Sequence, residues 1–256
     1  MHTYRIWILA SLFVAACGHP SERGYRDWDD DKSASRARHQ VYATVQHTAF
    51  EEKDGGSKRE QDGVLYGVGY ELELERFRLR TELLLGDLST SELENAADPG
   101  DSEYVMFDTR AEWLILPQPE EAETPRPFQV FVGGGIKFWS REAAGATQDW
   151  ISLSAHAGAE YSHWFKPRHR LFVRGLGGAN LFARADATAL GGLIDGPTVD
   201  MAPGPLARLE LGWEHDKLAI TGFVDWSMWG ESDTDQGVSQ PDSTMTRFGL
   251  GVGFTW

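Results

Sequence analysis

Bulky apolar residues occupy alternate positions through most of this 256-residue chain. The pattern is plainest in the last nine residues, FGLGVGFTW, where Phe248, Leu250, Val252, Phe254 and Trp256 alternate with glycine and threonine. Because successive side chains of a β-strand point to opposite faces, this stretch predicts a strand with one bulky apolar face and one slim face. A soluble sheet would usually carry charge on its second face, and no residue follows Trp256 to cover its ring. The pattern therefore favours a strand whose apolar face is covered by lipid.

Ten segments of this kind follow one another, and an even number of antiparallel strands is what a closed, single-chain bacterial barrel requires. The links between them alternate between short and long, and 183–204 is predicted to be one of the long loops. That asymmetry is typical of up-and-down barrels with short periplasmic turns and long extracellular loops. The fold class is therefore predicted to be all-β. The predicted strands lie near 38–50, 64–75, 76–85, 103–115, 127–139, 150–163, 170–183, 205–214, 217–229 and 244–256.

Charged residues occupy the parity opposite to the apolar residues and are predicted to face the barrel lumen. Ten strands enclose little more space than side chains can fill. Acidic and basic residues are nearly balanced in number, which favours a closed, salt-bridged interior over an open, ion-selective channel. The predicted lumen charge network consists of Glu71, Glu73, Glu75, Arg78, Arg80, Glu82, Asp108, Arg110, Glu112, Glu160, Arg174, Arg208, Glu210 and Arg247, with Lys137 and Asp225 on the same face.

Aromatic residues mark the ends of the predicted strands. Tryptophan and tyrosine favour membrane interfaces because their rings are amphipathic. One girdle is predicted from Trp113, Tyr161, Trp213 and Trp256, and a second from Tyr66, Phe107, Phe138, Trp150 and Trp226.

The N-terminus has the features of an export signal. A short segment with Arg5 precedes an apolar run, 6–16, which predicts a secretory signal peptide over 1–16. The only cysteine, Cys17, follows the sequence VAA directly. It is predicted to be the lipid-modified N-terminus of the mature chain, followed by a polar tether over 17–37 and the barrel over 38–256. The alternative is an ordinary signal peptide in which Cys17 is incidental.

The alternating strands and the aromatic C-terminus resemble those of bacterial outer-membrane β-barrel proteins, and VAAC resembles the lipobox of bacterial lipoproteins. The resemblance implies location in the outer membrane of a Gram-negative bacterium. It also implies that Phe248, Leu250, Val252, Phe254 and Trp256 form an assembly signal recognised by the barrel-assembly machinery. Outer-membrane lipid and lipopolysaccharide are the implied partners. The excess of acidic residues in the predicted loops is interpreted as a solvated surface, and the alternative is that divalent cations bridge these loops to lipopolysaccharide.

The net charge and the sequence motifs reduce the number of function classes that the chain could belong to. A formal net charge of −15 argues against nucleic acid as a partner, since phosphate binding requires a basic face. No cofactor or metal motif is found, and Ser154, His156 and Glu160 lie too far apart along one strand to form a catalytic set. An enzyme is therefore less favoured than a passive barrel with a structural or surface-binding role. The alternatives are an outer-membrane enzyme acting on lipid A, phospholipid or peptide, and a narrow diffusion channel. The sequence does not identify an extracellular ligand.

Overall fold

A computed structural model describes residues 37–54, 57–91, 101–115, 127–143, 146–166, 169–189, 194–235 and 238–256. Cys17, the signal peptide and residues 17–36 of the tether lie outside this range. The described residues contain no helix long and apolar enough to cross a membrane. The strands are β1 Arg38–Asp54, β2 Ser57–Glu73, β3 Phe77–Ser91, β4 Asp101–Leu114, β5 Phe128–Ala143, β6 Ala146–Lys166, β7 His169–Ala189, β8 Ile194–Ala202, β9 Gly204–His215, β10 Leu218–Ser232, β11 Thr234–Asp235, β12 Val238–Ser239 and β13 Asp242–Thr255.

The sheet closes into an antiparallel barrel with ten strand positions, which confirms the predicted fold class and strand number. The last strand, β13, pairs with the first, with Val45 opposite Leu250. Strands β8 and β9 share one position between β7 and β10. Following the register once around the barrel from Arg38 leads back to β1 at Phe50, twelve residues farther along (50 − 38). This stagger means that the strands are tilted relative to the barrel axis.

The prediction of a loop over 183–204 is wrong. Strand β7 continues to Ala189, and β8 pairs with it. Strand β8 ends at Ala202, and β9 begins at Gly204, directly after Pro203. A proline has no backbone N–H to donate to the ladder, so Pro203 interrupts the strand. The side-chain amide of Asn180 spans this interruption and donates a 2.8 Å hydrogen bond to the carbonyl of Met228 on β10.

The two ends of the barrel differ. At one end, called the turn end, β2 is joined to β3 through residues 74–76, and β9 to β10 through Asp216 and Lys217. Asp216 adopts a φ of 51°, in the left-handed region that aspartate tolerates in tight turns. At the other end, called the loop end, the strands run well past the predicted boundaries. Strands β6 and β7 have 21 residues each, whereas about 9–11 residues are enough to span a bilayer.

Burial is inverted relative to a soluble protein. Leu209, Leu211 and Phe248 are more than half exposed on the outer face, whereas Arg247 in the lumen is fully buried. The exposed apolar residues continue around the whole barrel and form an apolar belt. A surface of this kind is stable where hydrocarbon covers it and all backbone groups are paired within a closed sheet.

Part of the interior is apolar, which the sequence analysis did not predict. Trp139 and Trp150 stack with ring centroids 5.0 Å apart, Trp229 lies 5.3 Å from Trp139, and Phe50 packs edge-on against Trp150. These four side chains, each at most 2% exposed, are called the tryptophan plug. The assignment of Trp150 to an outer aromatic girdle is therefore wrong. Trp150 has the same parity as the lumen-facing Ser152, and parity decides the face.

Candidate functional site in the barrel lumen

Glycines on the slim faces of the strands make room for the polar interior. A Cβ on Gly69 would lie 2.0 Å from the ring of Tyr42, and one on Gly67 would lie 2.5 Å from Leu84. Side chains from β1 and β3 therefore cross the backbone of β2. The Tyr42 hydroxyl accepts a 2.8 Å hydrogen bond from Arg80, so the glycine serves to place a polar group in the lumen.

Arg78 is the centre of an ionic cluster near the turn end. Its guanidinium lies 3.1 Å from carboxylate oxygens of both Glu73 and Glu160. Glu71 and Glu112 lie at 3.7 Å. Arg78 is 2% exposed, so these carboxylates compensate a cation that solvent cannot reach.

Ion pairs extend this cluster across the bore. The Arg38 guanidinium lies 3.2 Å from the carboxylate of Glu73 and 2.6 Å from that of Glu214, so it links these two residues. Arg170 contacts Glu214 at 3.2 Å and also pairs with Glu160, so β1, β2, β6, β7 and β9 are connected through side chains. The whole set is called the turn-end layer and comprises Arg38, Glu71, Glu73, Arg78, Glu112, Glu160, Arg170, Arg174 and Glu214.

A second ionic cluster lies farther into the barrel, and Arg247 is its most buried member. One guanidinium nitrogen of Arg247 donates to Asp108 at 2.7 Å and to Asp225 at 2.6 Å. Arg208 contacts Asp225 at 3.1 Å and Glu210 at 2.5 Å. Arg80 also pairs with Glu210, at 2.8 Å. The whole set is called the central layer and comprises Arg80, Asp108, Arg110, Lys137, Arg208, Glu210, Asp225 and Arg247.

The predicted lumen residues fall largely within these two layers. Glu82 is also buried in the lumen, but neither of its carboxylate oxygens has a hydrogen-bond partner among the described residues. Glu75 was predicted to face the lumen, yet it lies in the turn after β2, which ends at Glu73. There it is half exposed and 3.9 Å from Arg76.

Sequence reasoning missed several members of the network. Arg38, Arg170 and Glu214 lie at the strand ends, where the apolar alternation fades. Extending the parity of Glu210 to Glu214, or of Arg174 to Arg170, would have identified two of the three.

A polar ring covers the tryptophan plug on the loop-end side. Arg141 is at its centre, 2.5 Å from Glu52, and it donates to Gln61 at 2.7 Å and to Gln148 at 2.6 Å. The same guanidinium lies 4.8 Å from the ring centre of Phe50. The Arg141 side chain, at the centre of the polar ring, is therefore held both by its ion pair with Glu52 and by stacking on Phe50 of the tryptophan plug.

Small cavities lie among the buried charged side chains. Two cavities, one beside each ionic layer, have a volume of about 20 Å³ each, enough for a single water molecule. From the turn end to the loop end, the lumen is filled by the turn-end layer, the central layer, the tryptophan plug and the polar ring. This arrangement fixes the buried side chains in place at four successive levels.

The interior contains no evident catalytic set among its described residues. The Ser154 hydroxyl donates a hydrogen bond to the carbonyl of Gly135, and His156 Nε2 lies 3.6 Å from the Glu112 carboxylate. Glu160 forms ion pairs with Arg78 and Arg170. The three side chains therefore point to separate partners. No group of three or more metal-ligating side chains is found in the part of the chain that the structure describes.

The C-terminal residues predicted to form an assembly signal all lie on the outer face. Their exposed fractions range from 44% for Trp256 to 57% for Leu250. The ring of Trp256 stacks on His39 at 5.9 Å, and its backbone exchanges two hydrogen bonds with His39. This residue thus lies at the seam where the first and last strands meet.

The fold and the inverted burial define a closed β-barrel of the outer-membrane type. No protein-family model and no curated protein matches the sequence. Among solved structures, the outer-membrane protease OmpT from Escherichia coli is similar, with 10% identity and a TM-score of 0.50 over 92% of this chain and 100% of OmpT. At that identity the likeness concerns the fold alone.

Two further outer-membrane barrels match less closely. Neisserial surface protein A is 11% identical over 84% of this chain and 96% of its own, with a TM-score of 0.36. Ail, the attachment invasion locus protein of Yersinia pestis, is 13% identical over 86% and 98%, with a TM-score of 0.32. These scores are too low to support an argument about this chain.

Proposed function

We propose that the chain is an integral outer-membrane barrel of a Gram-negative bacterium, with a closed lumen and a structural or surface-binding role. The observation that carries this proposal is the filled interior. Charged side chains block the bore at two levels and stacked tryptophans block it at a third. Diffusion of a solute would require many buried ion pairs to break together, and each broken pair leaves an uncompensated charge.

The orientation follows from the two ends of the barrel. The turn end faces the periplasm and the loop end faces outward, as in other barrels of this architecture. Outer-membrane lipid covers the apolar belt, and lipopolysaccharide surrounds the loop end. The barrel-assembly machinery is a partner during insertion and recognises the C-terminal strand.

The native barrel is expected to be electrically silent in a planar lipid bilayer. The ionic layers and the tryptophan plug leave no continuous water path, so no stepwise conductance should appear after insertion. Single-channel recording checks this, with insertion verified by heat-modifiable gel mobility. A variant with Leu209→Ala on the lipid face serves as the matched control and should also be silent. Discrete conductance steps from the native protein would favour the diffusion-channel alternative.

The mature chain is expected to begin at an acylated Cys17, which would tether the barrel by a second attachment to the membrane. Mass spectrometry of the native protein should find the lipid-modified cysteine, and Cys17→Ser should yield a chain without lipid whose barrel still folds. A mature N-terminus at another residue would remove the anchor from the proposal and leave the barrel unaffected.

A further inference from the structure

The cavity beside the central layer is lined mainly by polar and charged side chains and is called the central cavity. Three cations line it, Arg110, Lys137 and Arg208, together with two carboxylates, Asp108 and Asp225. Each of these five side chains is at most 10% exposed. The volume of about 20 Å³ accommodates one water molecule or one monatomic ion. The lining therefore has an excess of positive charge in a place that bulk solvent barely reaches.

Arg110 is the cation of the central cavity with the weakest compensation. Its only ionic contact among the described residues joins Nε to a carboxylate oxygen of Asp108, 3.8 Å away. Arg78 in the turn-end layer, by contrast, lies within 3.7 Å of four carboxylates. A buried charge without a close partner is costly, so a negative charge beside Arg110 would stabilise the folded chain.

Other donors at the central cavity are only partly used. Nη2 of Arg208 is buried and has no hydrogen-bond partner among the described residues. The Ser227 hydroxyl accepts a 3.0 Å hydrogen bond from the ammonium of Lys137, which leaves its own proton available to a further acceptor. The same ammonium lies 3.6 Å from Asp225, which is too far for a hydrogen bond. Because an unpaired buried donor costs free energy, these groups favour an acceptor inside the cavity.

The two carboxylates of the central cavity are already engaged with arginines. Asp225 accepts hydrogen bonds from Arg247 at 2.6 Å and from Arg208 at 3.1 Å. Asp108 accepts one from Arg247 at 2.7 Å through a single oxygen. Its other oxygen has no hydrogen-bond partner among the described residues and would repel an anion. The charge balance of the whole layer therefore decides which occupant is favoured.

That balance is positive and buried. The central layer contains five cations and three carboxylates, and Glu82, which lies opposite Asp108 on the neighbouring strand, adds a fourth carboxylate. One positive charge remains. The turn-end layer has four cations and five carboxylates, but its Glu71, Glu73 and Glu214 are 14–19% exposed, so water solvates the negative excess there. The positive excess of the central layer has no comparable access to solvent and calls for a single negative charge.

We propose that the central cavity binds one chloride ion, which completes the charge balance of the central layer. Arg110 supplies the attracting charge, and Nη2 of Arg208 and the Ser227 hydroxyl donate hydrogen bonds to the ion. Chloride carries one charge and accepts hydrogen bonds from several directions, whereas phosphate and sulfate are too large for about 20 Å³. The ion is a structural ligand that stabilises the folded chain by mass action. The inference concerns the interior and holds whichever surface role the barrel has.

Thermal unfolding of the full-length barrel in a neutral detergent tests this. The folded fraction is followed by heat-modifiable gel mobility in sodium chloride and in sodium gluconate at equal ionic strength. Gluconate is too large for the central cavity, so the two salts screen surface charges alike and differ in whether the cavity is occupied. The unfolding midpoint of the native protein should be about 2–4 °C higher in chloride, as expected for a stabilising ion present at about five times its Kd.

The variant Arg110→Met should abolish the difference between the two salts. It lacks the charge that attracts the ion, so its midpoint should be lower than that of the native protein in chloride. In gluconate its midpoint should be equal or higher, because the native protein then has an uncompensated cation. The matched control is Arg174→Met, since Arg174 is also a buried lumen arginine but pairs with Glu112 and Glu210. This control should be less stable in both salts and should keep the native difference between them.

A second variant keeps the test decisive. If Arg110→Met does not fold, Ser227→Ala replaces it and should reduce the difference between the salts. Equal midpoints of the native protein in chloride and gluconate, or a full difference retained by the cavity variant, would overturn the proposal and leave a cavity that holds water only. A conducting barrel whose midpoint still depends on chloride would contradict only the closed-lumen proposal.

Discussion

Replacing Trp256 with alanine is expected to leave secretion intact and to lower sharply the fraction of the chain inserted in the outer membrane. In the folded barrel the ring is 44% exposed and contacts His39, while the pairing with His39 is made by backbone atoms. Truncation of the ring should therefore cost at most a few kcal/mol, which a closed barrel tolerates. A much larger loss of inserted protein would reflect recognition of the unfolded chain by the assembly machinery.

Two further variants separate anchoring from recognition. Trp256→Phe keeps an aromatic ring and should insert nearly as well as the native chain, whereas deletion of Trp256 should be at least as damaging as alanine. Cell fractionation with heat-modifiable mobility measures the inserted fraction. If the alanine variant reached normal outer-membrane levels, Trp256 would be an interfacial anchor only.

Replacing Arg247 with methionine is expected to cause the largest loss of stability of any single change in the central layer. The substitution leaves Asp108 and Asp225 without the guanidinium that lies within 2.7 Å of both. Removing one partner of a buried ion pair typically costs about 3–5 kcal/mol. Asp225 keeps Arg208 at 3.1 Å, so the loss falls mainly on Asp108, which among the described residues keeps only the more distant Arg110 at 3.8 Å. The temperature at which the folded form is lost, as judged by its gel mobility, should therefore be lower for the variant than for the native protein.

The control for this experiment is a pair with the same chemistry on the outer surface. Arg184 donates to Asp200 at 2.7 Å, and the two side chains are 44% and 46% exposed. Because solvent screens exposed ion pairs, Arg184→Met should barely change the unfolding temperature. Equal shifts for Arg184→Met and Arg247→Met would mean that burial does not govern the strength of these contacts.

Side-chain parity made much of this fold predictable. In a strand that separates lipid from a packed lumen, a single alternation specifies both faces, so Leu250 and Arg247 were assigned to opposite sides. Closure then required the pairing of β1 with β13, which the register of Val45 with Leu250 confirms. The charged residues of the two ionic layers followed from the same alternation.

Other features are not encoded in a regular alternation. In β7 a register shift allows Leu181 to be 57% exposed while Ala183, of the same parity, is 1% exposed. An irregularity of this kind turns every later side chain to the opposite face. Beyond the apolar belt the outward residues become polar, so the alternation no longer distinguishes strand from loop, and β8 was missed. The tryptophan plug was missed because aromatic rings near strand ends suit both a membrane interface and a packed interior.

In the proposed orientation, with the loop end facing outward, the length of β6 and β7 determines what kind of surface the cell presents there. Twenty-one residues at about 3.3 Å each, tilted by about 40°, reach about 50 Å, roughly twice the height of the apolar belt. The excess projects beyond the lipid at the loop end as paired sheet. A molecule arriving from outside therefore meets a stiff wall whose backbone hydrogen bonds are already made, and contact with it requires little ordering of chain.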